Sequence, residues 1–219
     1  MNFVVISCAF FITYKIFKIE DFIDSLIVLF IFYFSQIIIT QTLLGIAGIL
    51  YLGDLLLINA LILLILWSTL HNKEYFFKFS GSKEILKGLL NNKVILFAIL
   101  VISVFGLVKI FINLANPPFG WDDLNYHFTF PVEWLKHGNL DNPITISDDP
   151  SPSYYPINGS LFFLWLIFPL KSVFFADIGQ VPFFILAFLA VYNISRKINL
   201  DRDLSFYSAS LFVLIPNFF

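Results

Sequence analysis

Long apolar runs separated by short polar intervals make up most of the chain, and the lengths of the runs decide what they can be. A bilayer core of ~30 Å needs about 20 apolar residues at 1.5 Å each. By that measure the pattern predicts membrane helices near 2–17, 25–46, 50–70, 94–114, 173–192 and 204–219. The first is short, and the last runs into the C-terminus without a polar flank, so the chain reads as a truncated product or the N-terminal part of a longer protein. A further run, 159–170, offers only about 12 residues before Pro169 and Lys171, too few to cross. It is expected to be a juxtamembrane or re-entrant helix in the outer leaflet.

The polar intervals orient these helices. The segment 71–93 holds five lysines against two glutamates, the stretch 193–203 holds three basic residues, and Lys15 and Lys18 flank the end of the first helix. The positive-inside rule puts all three on the cytoplasmic side. The loop that follows helix 94–114 is the reverse: from Pro117 to Asn158 it carries six of the fifteen acidic residues, with Lys136 as its one Lys or Arg. That loop is expected outside. Reading 159–170 as non-spanning leaves 173–192 as the single crossing back to the basic stretch, and the parity closes.

Composition agrees with this class. The chain is 59% hydrophobic and 13% charged, with a mean hydropathy of +0.87, far from the balance of a soluble domain. The expected fold class is therefore an all-α polytopic membrane protein with about six transmembrane helices and outer-surface juxtamembrane helices between the fourth and fifth. Residues 1–92 read as an N-terminal three-helix membrane segment, and 93–219 as a second unit containing the outer loop 115–172. A net charge of −2 and the absence of a basic run speak against nucleic acid as a partner. One cysteine, Cys8, excludes an intramolecular disulfide and a thiolate metal cage.

Candidate chemistry gathers at the start of the acidic loop. Pro117 and Pro118 are expected to end helix 94–114, and Gly120 to let the chain turn. Asp122 is then placed to cap a helix over roughly 123–137 that stops at Gly138. Leu124, Phe128, Pro131 and Leu135 form one apolar stripe along it, and a bend is expected at Pro131. Trp121, Tyr126 and Trp134 are aromatics of the interfacial kind. Asp122 is expected to act at this membrane exit as the general base that deprotonates an acceptor hydroxyl, with Asp123 as the second catalytic acid. The pair can equally hold a divalent cation, Mg2+ or Mn2+, against a phosphate, with Asp122 and Asp123 as the ligands. The plainer reading is a cap at Asp122 and a first-turn acid at Asp123.

His127, four residues after Asp123, can orient that carboxylate or contact a phosphate; an interfacial histidine bonded to water is the alternative. Tyr154 and Tyr155 can line an acceptor or lipid pocket or belong to an aromatic belt. Lys109, about one turn inside helix 94–114, can pair with a lipid-linked phosphate or snorkel to the interface. His71 and His137 read as surface residues, and Asp54 and Asp177 as interfacial ones.

These residues carry a resemblance. Trp121-Asp122-Asp123-Leu124-x-Tyr126-His127, then Trp134-Leu135-x-x-Gly138, then Tyr154-Tyr155-Pro156-x-x-Gly159-Ser160 resembles the GT-C superfamily of membrane glycosyltransferases. The nearest likeness is to the protein mannosyltransferase, aminoarabinose transferase and rhizobial lipopolysaccharide glycosyltransferase-like families. It extends over roughly 94–219, through Val191–Lys197 to Leu214-Ile215-Pro216. The resemblance implies a transferase of the plasma membrane that takes sugar from a polyprenyl-phosphate donor on the extracytoplasmic face. The acceptor would be a lipid, a glycan or a protein. Asp122 matches the family's first acidic position and Asp123 the variable second one, and His127 matches a residue often present after them. Three helices before the motif are a departure, since better-known members start with the helix that feeds it. Two other classes remain open: a non-catalytic membrane scaffold, and a transporter component, which would need several mid-membrane ionisable residues.

Overall fold

The computed structural model describes residues 1–74, 91–116, 118, 120–143 and 149–215. The middle of the lysine-rich segment, Pro117, part of the acidic loop and the end of the last expected helix lie outside the described residues. Among the described residues all regular structure is helical, as the hydropathy pattern requires.

Three helices are long and apolar enough to cross a membrane. Helix α2 (Phe22–Ile46) starts where Asp21 accepts from the Asp24 N–H, 2.9 Å. Helix α3 covers Leu52–Leu70. Helix α4 (Lys93–Ala115) starts at Asn92, whose side-chain oxygen accepts from the Val94 and Ile95 N–H groups. Side-chain caps of this kind satisfy donors that a helix cannot satisfy itself.

The other three expected spans are shorter than a bilayer-crossing helix. In place of 2–17 stand α1 (Asn2–Phe11) and one wider π turn, Ile12–Ile16. In place of 173–192, turns occupy 174–180 and helix α7 begins only at Val181, running 17 residues to Lys197. Pro182 sets that start, because a residue without an N–H is tolerated in the first turn and not further in. In place of 204–219 stands α8 (Arg202–Val213), capped by Asp201 and 12 residues long. A hydropathy window counts apolar residues whether or not the backbone stays helical through them.

The acidic segment also differs from a single helix over 123–137. A π turn, Asp123–His127, is followed by α5 (Thr129–His137), and the break falls at Phe128 rather than Pro131. Pro131 is the cause. Its ring would crowd the carbonyl one turn back in a continuous helix, and restarting at Thr129 puts it in a first turn instead. Gly138 ends α5 as expected, with φ 70° in the left-handed region. Asp122 makes no side-chain cap. Of the expected stripe, Phe128 and Pro131 are buried, Leu135 is half-buried and Leu124 is exposed. Trp134 is no interfacial aromatic: it is buried, and its indole N–H donates to the Asp141 carbonyl, 3.0 Å.

Helix α6 (Asn158–Ile167), the run too short to cross, is buried in the core over seven of its ten residues. Leu161, Phe162, Leu164 and Trp165 join Phe34, Ile37, Leu55, Phe130 and Trp134 in the main core. Gln41 donates to the Leu161 carbonyl, 2.8 Å, and the Trp165 indole to Asn2, 2.6 Å. Helix α5 is held against the α2–α3 turn: the Leu50 N–H donates to the Gly138 carbonyl, 2.8 Å. A Cβ at Gly138 would lie 2.4 Å from the Tyr51 ring, and one at Gly45 would meet Leu140. The N-terminal three helices and the acidic segment therefore share one core.

The bundle has two chemically different ends. At one, Lys197 pairs with Asp24 at 2.8 Å, Asn92 donates to Asp203 and Tyr14 to Ser25. Lys15 there is buried, contrary to a flank in the headgroup region; its ammonium donates to the Leu70 and His71 carbonyls. A cation at a helix C-terminus satisfies carbonyls that would otherwise lack donors. The described basic residues of the three expected cytoplasmic stretches belong to this end, and the acidic turn lies at the other.

Candidate active site

The acidic turn is built for close approach. The Gly120 backbone lowers the Asp123 pKa, and a Cβ at Gly120 would lie 2.6 Å from Asp123 Oδ2. Gly120 has no positive φ, so what the position needs is clearance, not the turn conformation expected of it. The π turn closes with the Phe128 N–H on the Asp123 carbonyl, 3.0 Å.

Asp123 and Asp122 diverge. Asp123 is half-buried; burial raises its pKa, the neighbouring His127 lowers it, and Asp122 raises it again. Asp122 is exposed. His127 is pushed below its ordinary value by burial, although both acids pull the other way. Its Nδ1 lies 3.3 Å from Ser160 Oγ, its ring packs 4.1 Å from Tyr126, and Phe163 meets it edge-on. Tyr126 in turn meets Tyr155 edge-on at 5.4 Å, and burial, then Asp122, raise its pKa.

Asp123 opens onto a cleft of about 880 Å3, shared with Thr129, Glu133, His137 and Asp141. The structure thus brings Asp123, His127, Tyr126 and Tyr155 together with Asp122 beside them. Trp121 and Tyr154 point outward, 73% and 83% exposed. Lys109 lies elsewhere, its ammonium 5.8 Å from the Phe105 ring centre in a groove with Val101, Val104, Val108 and Ile112.

Three residues of the site had no functional reading in the sequence. His137 lines the cleft. Ser160 reaches His127 from a helix 33 positions on. Asp177 lies in a cavity of about 280 Å3 with Asn113, Asn116 and Ser172, and Pro118 and Val173 border both spaces. Burial and the charge of Asp123 push Asp177 up to about 6. An acid inside an otherwise apolar run was the available signal for it; Ser160 was marked only as the end of the Tyr154-Tyr155-Pro156-x-x-Gly159-Ser160 run, with no role attached.

Chemically, the turn offers a shielded carboxylate, an exposed one, and a neutral imidazole beside a cleft. Among the described residues no group of three His, Cys, Asp or Glu side chains is arranged to hold a metal ion. Two carboxylates can still share a Mg2+-like ion with a substrate phosphate, which is the usual way such ions are bound. No protein-family model, curated protein or solved structure matches the chain.

Proposed function

We propose that the chain is a membrane glycosyltransferase, or a portion of one, that moves a sugar from a polyprenyl-phosphate donor to an acceptor hydroxyl. The acceptor is a lipid, glycan or protein, and the reaction takes place on the extracytoplasmic face of the plasma membrane. One observation carries the reading: a half-buried Asp123 carboxylate at the wall of a large cleft.

In this mechanism a carboxylate of the turn takes the proton from the acceptor hydroxyl. The acceptor oxygen bonds to the anomeric carbon as the bond to the phosphate oxygen breaks, and the polyprenyl phosphate leaves with the electron pair. Asp123, in place of the Asp122 expected from the sequence, is the better-placed base, since it lines the cleft and Asp122 does not. Asp122 adds negative potential, and either acid can share a divalent cation with the departing phosphate. Thr129, Glu133, His137 and Asp141 supply the cleft wall against the sugar, and Tyr126, Tyr155 and His127, packed together beside the acidic turn, contact the parts of the substrate that extend past it. Trp121, Tyr154 and Lys109 act on the lipid side, the lysine on the donor's charge.

Sugar transfer from radiolabelled polyprenyl-phosphate donors, measured in membranes, tests the reading. Asp122→Asn and Asp123→Asn are compared with wild type at equal protein level. Transfer should be lost in Asp123→Asn and reduced in Asp122→Asn. Near-normal transfer in the double variant would remove the acidic turn from the chemistry and leave the scaffold reading.

A further inference from the structure

The serine that meets His127 differs from several other helical serines among the described residues. Ser205, Ser208 and Ser210 in α8 donate to the carbonyl four residues back, at 2.7–2.9 Å, and Ser25 in α2 to the carbonyl three back. That is the common local bond of a serine in a helix. Ser160, third residue of α6 and 2% exposed, is bonded among the described residues to His127 Nδ1 instead.

A hydroxyl can donate to an imidazole nitrogen or accept from it, but the buried Ser160 hydroxyl has no other bond among the described residues, so Nδ1 is the acceptor available for its proton, and a bare Nδ1 puts the ring proton on Nε2. The ring has no freedom to escape the choice. Tyr126 packs on it at 4.1 Å and Phe163 edge-on at 5.7 Å. Position 159, next to the serine, leaves just enough room: a Cβ there would touch His127 Cε1 at 3.9 Å.

We propose that Ser160 is a positioning residue that fixes His127 as the Nε2–H tautomer, so that the ring presents a hydrogen-bond donor, not a base, beside Asp123. Resting on the transferase reading, this divides the labour of the site. Asp123 takes the proton, and His127 Nε2–H stabilises negative charge on the leaving phosphate or aligns the sugar. Helix α6, buried in the core, then holds part of the reacting group as well.

The tautomer can be read without any substrate. The full chain, labelled with 15N-histidine and held in lipid nanodiscs near neutral pH, has three histidines; the signals missing in His127→Gln belong to His127. The expected spectrum shows His127 protonated at Nε2 and bare at Nδ1. Ser160→Ala should turn this into a mixture of tautomers, while Ser160→Thr, which keeps the hydroxyl, should preserve it. A wild-type ring protonated at Nδ1, or a spectrum unchanged in Ser160→Ala, would overturn the assignment, and the wild-type spectrum decides even if a variant fails to fold. In the transfer assay Ser160→Ala should lower kcat by about tenfold with little change in KM, less than the ~10²–10³ for deleting an aligned donor outright, because His127 itself remains. Unchanged kcat would overturn the positioning role. A fixed tautomer in a protein without transfer activity would uphold the assignment and sink the transferase reading instead.

Discussion

Helices α4 and α6 look alike in the sequence, both nearly unbroken apolar runs, and the fold treats them in opposite ways. Of the 23 residues of α4, Ile95 alone is buried; of the ten in α6, seven are. Length separates them. Twenty-three residues rise roughly 34 Å and can stand in lipid, whereas ten rise roughly 15 Å and cannot reach across. The short helix must instead be enclosed by protein, and once enclosed it becomes the natural place to anchor a site. Hydropathy reports that water is absent; it does not report whether lipid or protein replaces it.

The comparison breaks most visibly at Trp165. Trp165→Ala in α6 removes a fully buried indole and its bond to Asn2, and should cost about 3–5 kcal/mol of stability in thermal unfolding. Phe111→Ala on the lipid-facing side of α4, 71% exposed, should stay within about 0.5 kcal/mol. Equal losses would mean that α4 is covered in the same way as α6.

A smaller effect is expected where α5 meets α3. Gly138→Ala forces a side chain into a left-handed position and against Tyr51, at a cost of about 1–2 kcal/mol. Gly53→Ala in α3, with open space around it, should stabilise by up to about 1 kcal/mol. Chemical denaturation of both variants checks the contrast.

Asp177 gives a pH-dependent effect at the joint between α4 and α6–α7, where Asn113 donates to its carbonyl. Its pKa in the fold is about 6 against an ordinary 3.8, raised, so the ionised group weakens the fold above both values. That penalty fades as pH falls from about 6 toward 3.8 and is gone below. Discounted for partial solvent screening, Asp177→Asn should raise the melting temperature by about 2–4 °C near neutral pH, as for ~1 kcal/mol in a chain of this size. In acid it should do nothing. A gain that persists in acid would mean that packing, not charge, is responsible.

The smallest stability effect with the sharpest functional one is expected at Gly120. In Gly120→Ala the new methyl meets only the end of the Asp123 side chain, so unfolding should shift by under about 0.5 kcal/mol. Sugar transfer should fall about a hundredfold, since a displacement near 1 Å has that effect on an aligned group. Intact transfer would show that Asp123 acts from more than one position.

Much of this layout was legible beforehand. The three long runs, the short non-spanning run, the stop at Gly138 and the separation of basic from acidic ends follow from residue type and spacing, because caps, turns and run lengths are local properties. The shorter helices were misjudged where proline placement, at Pro131 and Pro182, outweighed hydropathy. The acidic turn was legible as a cluster, yet the division between a shielded Asp123 and an exposed Asp122 depends on Gly120 and on the cleft beyond.

What the amino-acid order determined by itself is therefore the inventory: an apolar, helix-forming chain and one concentration of acids, whereas the reduction of six expected crossings to three long helices came from the structure. The tertiary structure alone decided the company each residue keeps. Ser160 meets His127 across 33 positions, Asp177 feels Asp123 across the chain reversal, and α6 takes Trp165 into the core. Such pairings arise from packing helices against one another, and no local pattern encodes which face of an apolar helix will find a protein partner.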